Sequence, residues 1–285
     1  MDSYLLDQQL HSFLREDLEH GDITTDAIFS DKDQARAYFT ARHPMVVVGM
    51  EKVAWRIFTL LDPGVSTGRL LRDGKRADKG DVLMELTGHT RSLLRGERVA
   101  LNLVQRMCGI ATLTAAFVDQ VADLDVKIVD TRKTTPGLRL LEKYSVRAGG
   151  GHNHRYSLSD GVMIKDNHIA ACGSITKAVE RVRRRVPHTI KVEVETDTLA
   201  QVEECLACQV GVIMLDNMDL ATMKEAVAMI QGRATVEASG GVSLETVRGI
   251  AETGVDIISV GGLTHSATAC DIGMDWCSAM SDQQR

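Results

Sequence analysis

Residues 190–262 read IKVEVETDTLAQVEECLACQVGVIMLDNMDLATMKEAVAMIQGRATVEASGGVSLETVRGIAETGVDIISVGG. Four apolar runs stand out: Ile190–Val194, Val212–Leu215, Ala234–Ala238 and Asp256–Val260. Each has the length of a strand, and between them Thr198–Cys208, Leu220–Ile230 and Ser243–Thr253 carry apolar residues at helical spacing. Regular strand–helix alternation means a parallel sheet joined by right-handed crossovers. The runs are almost continuously apolar, as parallel strands covered on both faces must be.

Working outward, two earlier strands, Lys127–Asp130 and Gly161–Ile164, and two helices, Leu138–Ala148 and Ser174–Val186, extend the pattern. The carboxyl ends of the six strands read Asp130-Thr-Arg-Lys133, Lys165-Asp-Asn-His168, Glu195, Asp216-Asn217, Ser239-Gly-Gly241 and Gly261-Gly262. Every one carries charged, hydroxyl or glycine groups. A ring of βα loops converging on one site has this property, whereas an open sheet concentrates its ligand groups at one switch point. The interval is too short for eight full units. The expected fold class is therefore α/β, with an incomplete parallel α/β barrel of six to seven strands over residues 113–265.

Residues 1–112 lack the repeat. Leu6, Leu10, Phe13 and Leu14 predict a helix, Ala35–Arg42, Val46–Val48 and Gly80–Leu86 predict strands, and Glu51–Leu61 and His89–Met107 predict further helices. Gly109–Asp123 reads as a separate helix. This mixture is expected to form an α+β sandwich domain, with residues 266–285 as a C-terminal helical segment packing back on it.

The 285-residue chain has a formal net charge of −6, with 33 Lys+Arg against 39 Asp+Glu. An acidic balance argues against non-specific nucleic-acid binding. The charge is uneven: residues 127–168 hold eight Lys/Arg against four Asp/Glu, a basic island in an acidic chain. The start lacks the basic and apolar regions of a signal peptide, and apolar runs such as Met45–Met50 are too short to span a bilayer. A cytoplasmic location with six free thiols (Cys108, Cys172, Cys205, Cys208, Cys270, Cys277) is expected. Cys205-x-x-Cys208 lies in a helical-looking segment without a second ligand pair, so it reads as two small apolar residues one turn apart.

The strand-end residues sort by chemistry. Arg132, Lys133, Arg155 and Lys165, with His152, His154 and His168, form a cationic set too dense to serve only solubility. Arg139, Lys143 and Arg147, four apart on one helix, read as solvated cations. Glu195 and Asp216 end consecutive strands and could hold Mg²⁺, which takes one or two carboxylates plus substrate oxygens. Glu193 and Glu195 are read as facing opposite sides of their strand, so that only one meets the ligand. Ser239-Gly-Gly241 and Gly261-Gly262 precede helices, and such loops offer backbone N–H groups to phosphate. These residues together describe a site for a phosphorylated sugar, Mg²⁺ and a second acidic substrate.

Longer motifs are more specific. Asp130-Thr-Arg-Lys-Thr-Thr-Pro-Gly137, Lys143-Tyr-Ser-Val-Arg-Ala-Gly-Gly-Gly-His-Asn-His-Arg155, Ile164-Lys-Asp-Asn-His168, Glu97-Arg-Val-Ala-Leu-Asn102, Glu193-Val-Glu195, Leu215-Asp-Asn217, Glu237-Ala-Ser-Gly-Gly241 and Val260–Ser266 are collinear. Together they resemble the carboxylating nicotinate-nucleotide pyrophosphorylases, or quinolinate phosphoribosyltransferases, over nearly the whole chain. The resemblance implies that quinolinate and phosphoribosyl pyrophosphate yield nicotinate mononucleotide, pyrophosphate and CO₂, a step of NAD biosynthesis, with Mg²⁺ and no organic cofactor. It implies a homodimer, open to assembly into hexamers, in which the sandwich of one subunit caps the barrel of the other and Arg98 reaches into the partner's site. By position, Thr131, Arg132, His154, Arg155 and Lys165 would bind quinolinate's carboxylates and neighbouring phosphates. Lys133, Glu195 and Asp216 would be catalytic, with Lys133 toward the pyrophosphate and the two acids on the ribose and Mg²⁺. Ser239, Gly240, Gly241, Gly261 and Gly262 would surround the 5′-phosphate. The rivals are a transferase acting on nicotinate without decarboxylation, a Schiff-base aldolase using Lys165, and a non-catalytic phosphosugar-binding barrel. The cations at His154-Arg155 argue against the first, the acids and glycine loops together against the second, and the retained Lys133 and Glu195 against the third.

Overall fold

The computed structural model describes residues 3–277. Along the chain lie α1 (Ser3–Leu18), α2 (Ile23–Ile28), β1 (Gln34–Ala41), β2 (Met45–Val46), a π-helical turn (Met50–Trp55), α3 (Arg56–Leu61), β3 (Ser66–Leu70), β4 (Arg76–Ala77), β5 (Val82–His89) and α4 (Thr90–Gln120). Next come β6 (Lys127–Val129), α5 (Arg139–Ala148), β7 (Val162–Ile164), α6 (Asp166–Cys172), α7 (Ile175–Arg183), β8 (Val192–Thr196), α8 (Leu199–Ala207) and β9 (Val212–Asp216). The last are α9 (Leu220–Ile230), β10 (Thr235–Ser239), α10 (Val247–Ala251), β11 (Ile257–Ser259), α11 (Gly262–His265) and β12 (Ile272–Cys277).

The elements form two compact units. Among the described residues the first comprises 3–113, 140–149 and 267–277. Its antiparallel sheet has the order β12-β1-β5-β3. Leu6, Leu10 and Leu14 bury one stripe of α1, and Phe39 of β1 meets Phe58 of α3 edge-on at 6.1 Å.

Three expectations change here. Residues 266–285 are not helical in their described part: β12 pairs antiparallel with β1, Ala37 opposite Trp276, and residues beyond 277 lie outside the described residues. The predicted break before Gly109 is absent, since α4 runs unbroken for 31 residues. Gly109 is there for close approach, because a Cβ would lie 2.1 Å from the Thr268 carbonyl oxygen. Helix α5 belongs largely to this unit rather than to the barrel. Helix α4 is also long and apolar enough to cross a membrane by composition, but 61% of its most apolar window is buried inside the protein, as in a core helix.

The second unit, residues 114–139 and 150–266, holds all six expected strands in one parallel sheet ordered β6-β11-β10-β9-β8-β7. Read in chain order, β7 to β11 run consecutively around the sheet and return to β6; only the β6–β7 seam carries no ladder. Curvature is evident from side chains: His154, just beyond the His152–Val129 bridge, reaches carboxylates on both β8 and β10. A flat sheet would hold these apart, so the architecture is an incomplete barrel. On β8, Val192, Val194 and Thr196 are buried on one face, while Glu193 and Glu195 share the other. Residues two apart on a strand point the same way, so the expectation that these two acids face opposite sides is corrected. Helix α6, absent from the sequence reading, follows β7 with Lys165 at its N-cap.

Candidate active site

The site is built from the carboxyl end of β6 upward. Asp130 is fully buried beyond the strand, and its carboxylate accepts from the Asn153 side chain (2.5 Å) and from the His154 amide (2.9 Å). The Asp130 amide donates to the His152 carbonyl (3.1 Å), so the glycine-led loop is stitched to the strand by backbone and carboxylate together. Arg139 joins the two cationic loops. It donates to Thr134 Oγ1 (2.9 Å) and the Arg132 carbonyl (3.4 Å) on one side, and to the Tyr156 carbonyl (2.9 Å) on the other. It is therefore not the solvated cation expected from helical spacing. Lys143 departs further, being fully buried in the first unit beside Glu142, which is ion-paired with Arg106.

Thr131 Oγ1 accepts from the Lys133 amide (3.0 Å), and Thr264 Oγ1 donates to the Lys133 carbonyl (2.8 Å), which ties this loop to the last βα loop. The Lys133 side chain crosses Gly261: a Cβ there would lie 3.0 Å from Lys133 Cδ. Arg155 donates to the Gly161 carbonyl (2.8 Å) and lies 3.7 Å from Met163 Sδ. Burial and the nearby Arg132 guanidinium hold Arg155 below the usual arginine range, offset in part by Glu193. A half-buried guanidinium that feels a second cation favours an anionic ligand.

The carboxylates occupy adjacent strands. Lys165 Nζ donates to Glu195 Oε2 at 2.5 Å, so the cationic and acidic sets meet. On β9, Asp216 Oδ2 accepts from Asn217 Nδ2 (2.8 Å). Asn217 has φ +54°, and its amide donates to the Ser239 carbonyl (2.9 Å), locking the end of β9 to the end of β10. Asp216 stands opposite Ser239 in the ladder. Glu195 and Asp216 are hard oxygen donors, each with one oxygen engaged by a neighbour and a second outside that bond, which suits Mg²⁺ sharing its shell with substrate oxygens.

Both glycine loops stand where expected. Gly240 and Gly241 have φ of +92° and +60°. The amides of Gly240, Gly241, Gly261 and Gly262 donate to no acceptor among the described residues. The helices after them are shorter than the sequence suggested: α10 begins at Val247 and α11 spans four residues. Any phosphate affinity therefore rests on the loop amides more than on a helix dipole.

Two residues were missed in the sequence. Glu193 and Glu237, both buried, face His154, whose Nε2 lies 3.3 Å from Glu193 Oε2 and 3.6 Å from Glu237 Oε2. The second oxygen of each acid is buried without a hydrogen-bond partner among the described residues. Burial and the charge of Glu193 push the Glu237 carboxyl up to about 7. The signal available was the two-residue spacing of Glu193 and Glu195, misread as opposite faces. His154 Nδ1 accepts from the Arg155 amide (2.7 Å), and its Nε2 faces these two acids.

Arg98 lies in the other unit, exposed on α4. His152 and His168 are also exposed, and His168 Nδ1 accepts from the Lys165 amide (2.9 Å). Among the cysteines, Cys205 is fully buried and its thiol is pushed up to about 12 by desolvation, with smaller contributions from Cys208 and Glu204. Cys205 is thus the small apolar residue the sequence suggested, while Cys208 is half-buried.

Comparison with known proteins agrees with this geometry. Residues 22–108 match the quinolinate phosphoribosyl transferase N-terminal domain family, and residues 110–275 the corresponding C-terminal domain family. A Bacillus subtilis protein named probable nicotinate-nucleotide pyrophosphorylase (carboxylating) is 45% identical over 275 residues, covering 96% of this chain and 94% of that one. The Arabidopsis thaliana nicotinate-nucleotide pyrophosphorylase (carboxylating), chloroplastic, is 42% identical, covering 92% of this chain and 80% of its own. The crystal structure of NadC from Streptococcus pyogenes superposes with a TM-score of 0.93 at 43% identity, covering 98% of this chain and 99% of that one. With both domain families matched in order and strand ends bearing the acids, cations and glycines described, the chain belongs to the quinolinate phosphoribosyltransferases, the decarboxylating pentosyltransferases of NAD biosynthesis.

Proposed function

We propose that this chain transfers the phosphoribosyl group of phosphoribosyl pyrophosphate to the ring nitrogen of quinolinate, releasing pyrophosphate and then CO₂. The observation that carries this reading is the gathering of cations, two carboxylates and two glycine loops at the carboxyl ends of one parallel sheet, in a chain that matches both domain families. Several cations on neighbouring loops suit a ligand with two carboxylates better than one with a single carboxylate. Arg132, Arg155 and Lys165 take the quinolinate carboxylates, with Thr131 shaping the loop and His154 behind Arg155. Ser239–Gly241 and Gly261-Gly262 hold the 5′-phosphate through their amides. Glu195 and Asp216 take the ribose hydroxyls and are the residues that would hold Mg²⁺.

Mg²⁺, when bound, neutralises charge on the diphosphate leaving group. As the C1–O bond to pyrophosphate breaks, positive charge develops on the ribose and negative charge on the departing oxygen. Glu195 and Asp216 favour the first, and Lys133, fixed by Thr131 and Thr264, favours the second without reorganising. The quinolinate ring nitrogen supplies its electron pair to C1. The alkylated ring is then cationic, so it accepts the pair left when the adjacent carboxylate departs as CO₂, and that carbon takes a proton.

The active unit is a homodimer in the cytoplasm, with Arg98 of one protomer completing the partner's site. The family includes plant members whose names place them in chloroplasts or mitochondria. The deciding experiment supplies quinolinate, phosphoribosyl pyrophosphate and Mg²⁺, and follows CO₂ and nicotinate mononucleotide. Stoichiometric release of both is expected. Turnover of nicotinate with none of quinolinate would refute the reading in favour of a non-decarboxylating transferase.

A further inference from the structure

Arg139, the first residue of α5, directs its guanidinium at neutral acceptors. It is half-buried, and among the described residues no carboxylate pairs with it. Its Nε donates to Thr134 Oγ1 at 2.9 Å, one terminal nitrogen to the Tyr156 carbonyl at 2.9 Å, and the other to the Arg132 carbonyl at 3.4 Å. A guanidinium suits this task because its N–H donors lie in one rigid plane and leave it in three directions. The positive charge on the donor strengthens each bond.

These acceptors belong to two loops. Asp130 ties the loops together at their roots, accepting from Asn153 and from the His154 amide. Arg139 ties them again farther out, at the main chain of Arg132 and of Tyr156, the residue directly after Arg155. The Thr134 amide also donates to the Arg132 carbonyl at 2.9 Å, so the turn that the guanidinium grips is closed locally. The bridge therefore sets the separation of the two backbones from which the Arg132 and Arg155 side chains spring. Two carboxylates fixed on one ring need their cations at a set spacing, whereas a single carboxylate can be met by one cation alone. We propose that Arg139 is a positioning residue that determines specificity: its three bonds hold the Arg132 and Arg155 loops at the spacing that a ring with two neighbouring carboxylates requires, and so favour it over a ring with one. This rests on the reading above that these loops bind quinolinate.

Arg139→Lys keeps the charge and removes the planar fork, which separates spacing from electrostatics. In this variant the quinolinate KM should rise roughly tenfold, while the inhibition constant of nicotinate against quinolinate and the KM for phosphoribosyl pyrophosphate stay within about twofold. An unchanged quinolinate KM in Arg139→Lys, with a loss in Arg139→Met, would make the residue a source of positive potential and overturn the proposal. Parallel weakening of quinolinate and nicotinate would overturn it as well. Thr134→Val removes one acceptor and leaves the cation, which covers poor folding of the arginine variants. It should lower the preference for quinolinate by roughly threefold alone and by less than about twofold on top of Arg139→Lys, because the two residues act through one bond. A crystal structure of Arg139→Lys reads the bridge without turnover. Displacement of the Arg132 turn relative to Tyr156 supports the proposal, and an unmoved pair of loops overturns it. A wild-type protein that turns over no quinolinate would sink the functional reading, while the structure of the variant would still decide on the bridge.

Discussion

Gly240→Ala separates two jobs that glycines do in the same loop. At Gly240 the backbone has φ +92°, and an added Cβ would lie 2.2 Å from Asn217 Oδ1 and 2.5 Å from its Cγ. At Gly241 the φ is +60° and a Cβ would meet nothing within 4 Å. Both alanines suffer the left-handed backbone cost, about 1–2 kcal/mol. Only Gly240→Ala must also expel the Asn217 side chain, breaking its bond to Asp216 Oδ2, for about 0.5–1.5 kcal/mol more. The total is about 1.5–3.5 kcal/mol against about 1–2 kcal/mol for Gly241→Ala, so Gly240→Ala should melt roughly 1–6 °C below Gly241→Ala in apparent Tm by circular dichroism. Activity should divide the other way. Gly241→Ala places a methyl in the open loop proposed above to hold the 5′-phosphate and should raise the KM for phosphoribosyl pyrophosphate with the smaller loss of stability, whereas Gly240→Ala disturbs both. Deleting the obstacle supplies the control, since in an Asn217→Ala background Gly240→Ala should cost only the backbone component. Equal melting of the two glycine variants, with additive effects in that cycle, would refute the reasoning.

Four further outcomes follow from the structure. Glu237, raised to about 7 from its ordinary 4.5, keeps in the folded state a proton that the unfolded chain has released. Stability therefore falls as pH rises across that window, and Glu237→Gln should flatten the decline in urea midpoints between pH 5 and pH 8; an unchanged slope would contradict the assignment. Lys133 is exposed and Arg98 is exposed, so alanine at either should abolish activity with ordinary melting. Mixing the two inactive proteins under proven subunit exchange should restore roughly a quarter of wild-type turnover if sites are shared across a two-fold axis, and no recovery would remove the cross-subunit role of Arg98. Chelation should stop turnover reversibly, and Glu195→Gln or Asp216→Asn should raise the Mg²⁺ needed for half-activity; equal loss at saturating and limiting Mg²⁺ would separate these acids from the metal. Cys205 should resist a thiol reagent in the native protein and react once unfolded, and rapid native labelling would contradict its burial.

The barrel was legible because parallel strands covered on both faces must be apolar along their length, as Val212–Leu215 is. Periodicity then located the strands independently of any partner. The first unit was harder to read. Strand β12 gains its identity only by pairing with β1, a neighbour more than 230 residues away in the chain, and β3 and short β4 have no local signature strong enough to outweigh their polar residues. Gly109 was read as a helix break because glycine propensity is a local quantity. The reason for the glycine, the Thr268 carbonyl, lies elsewhere in the fold.

The site divides in the same way. Which chemical groups stand at the strand ends is a property of sequence order, because every βα turn delivers its residues to the same edge of the sheet. Arg132, Lys133, Lys165, Glu195, Asp216 and the two glycine loops could therefore be named from spacing and motif. Their partners could not, since hydrogen bonds across strands depend on register and curvature. Only the tertiary structure turned Arg139 from a surface cation into the link between two loops, buried Lys143, and brought Glu193 and Glu237 to one imidazole. Sequence determined the cast of reacting groups at the barrel mouth. The tertiary structure decided which are engaged with each other and which remain for a substrate, because desolvation and hydrogen-bond geometry act through space and not along the chain.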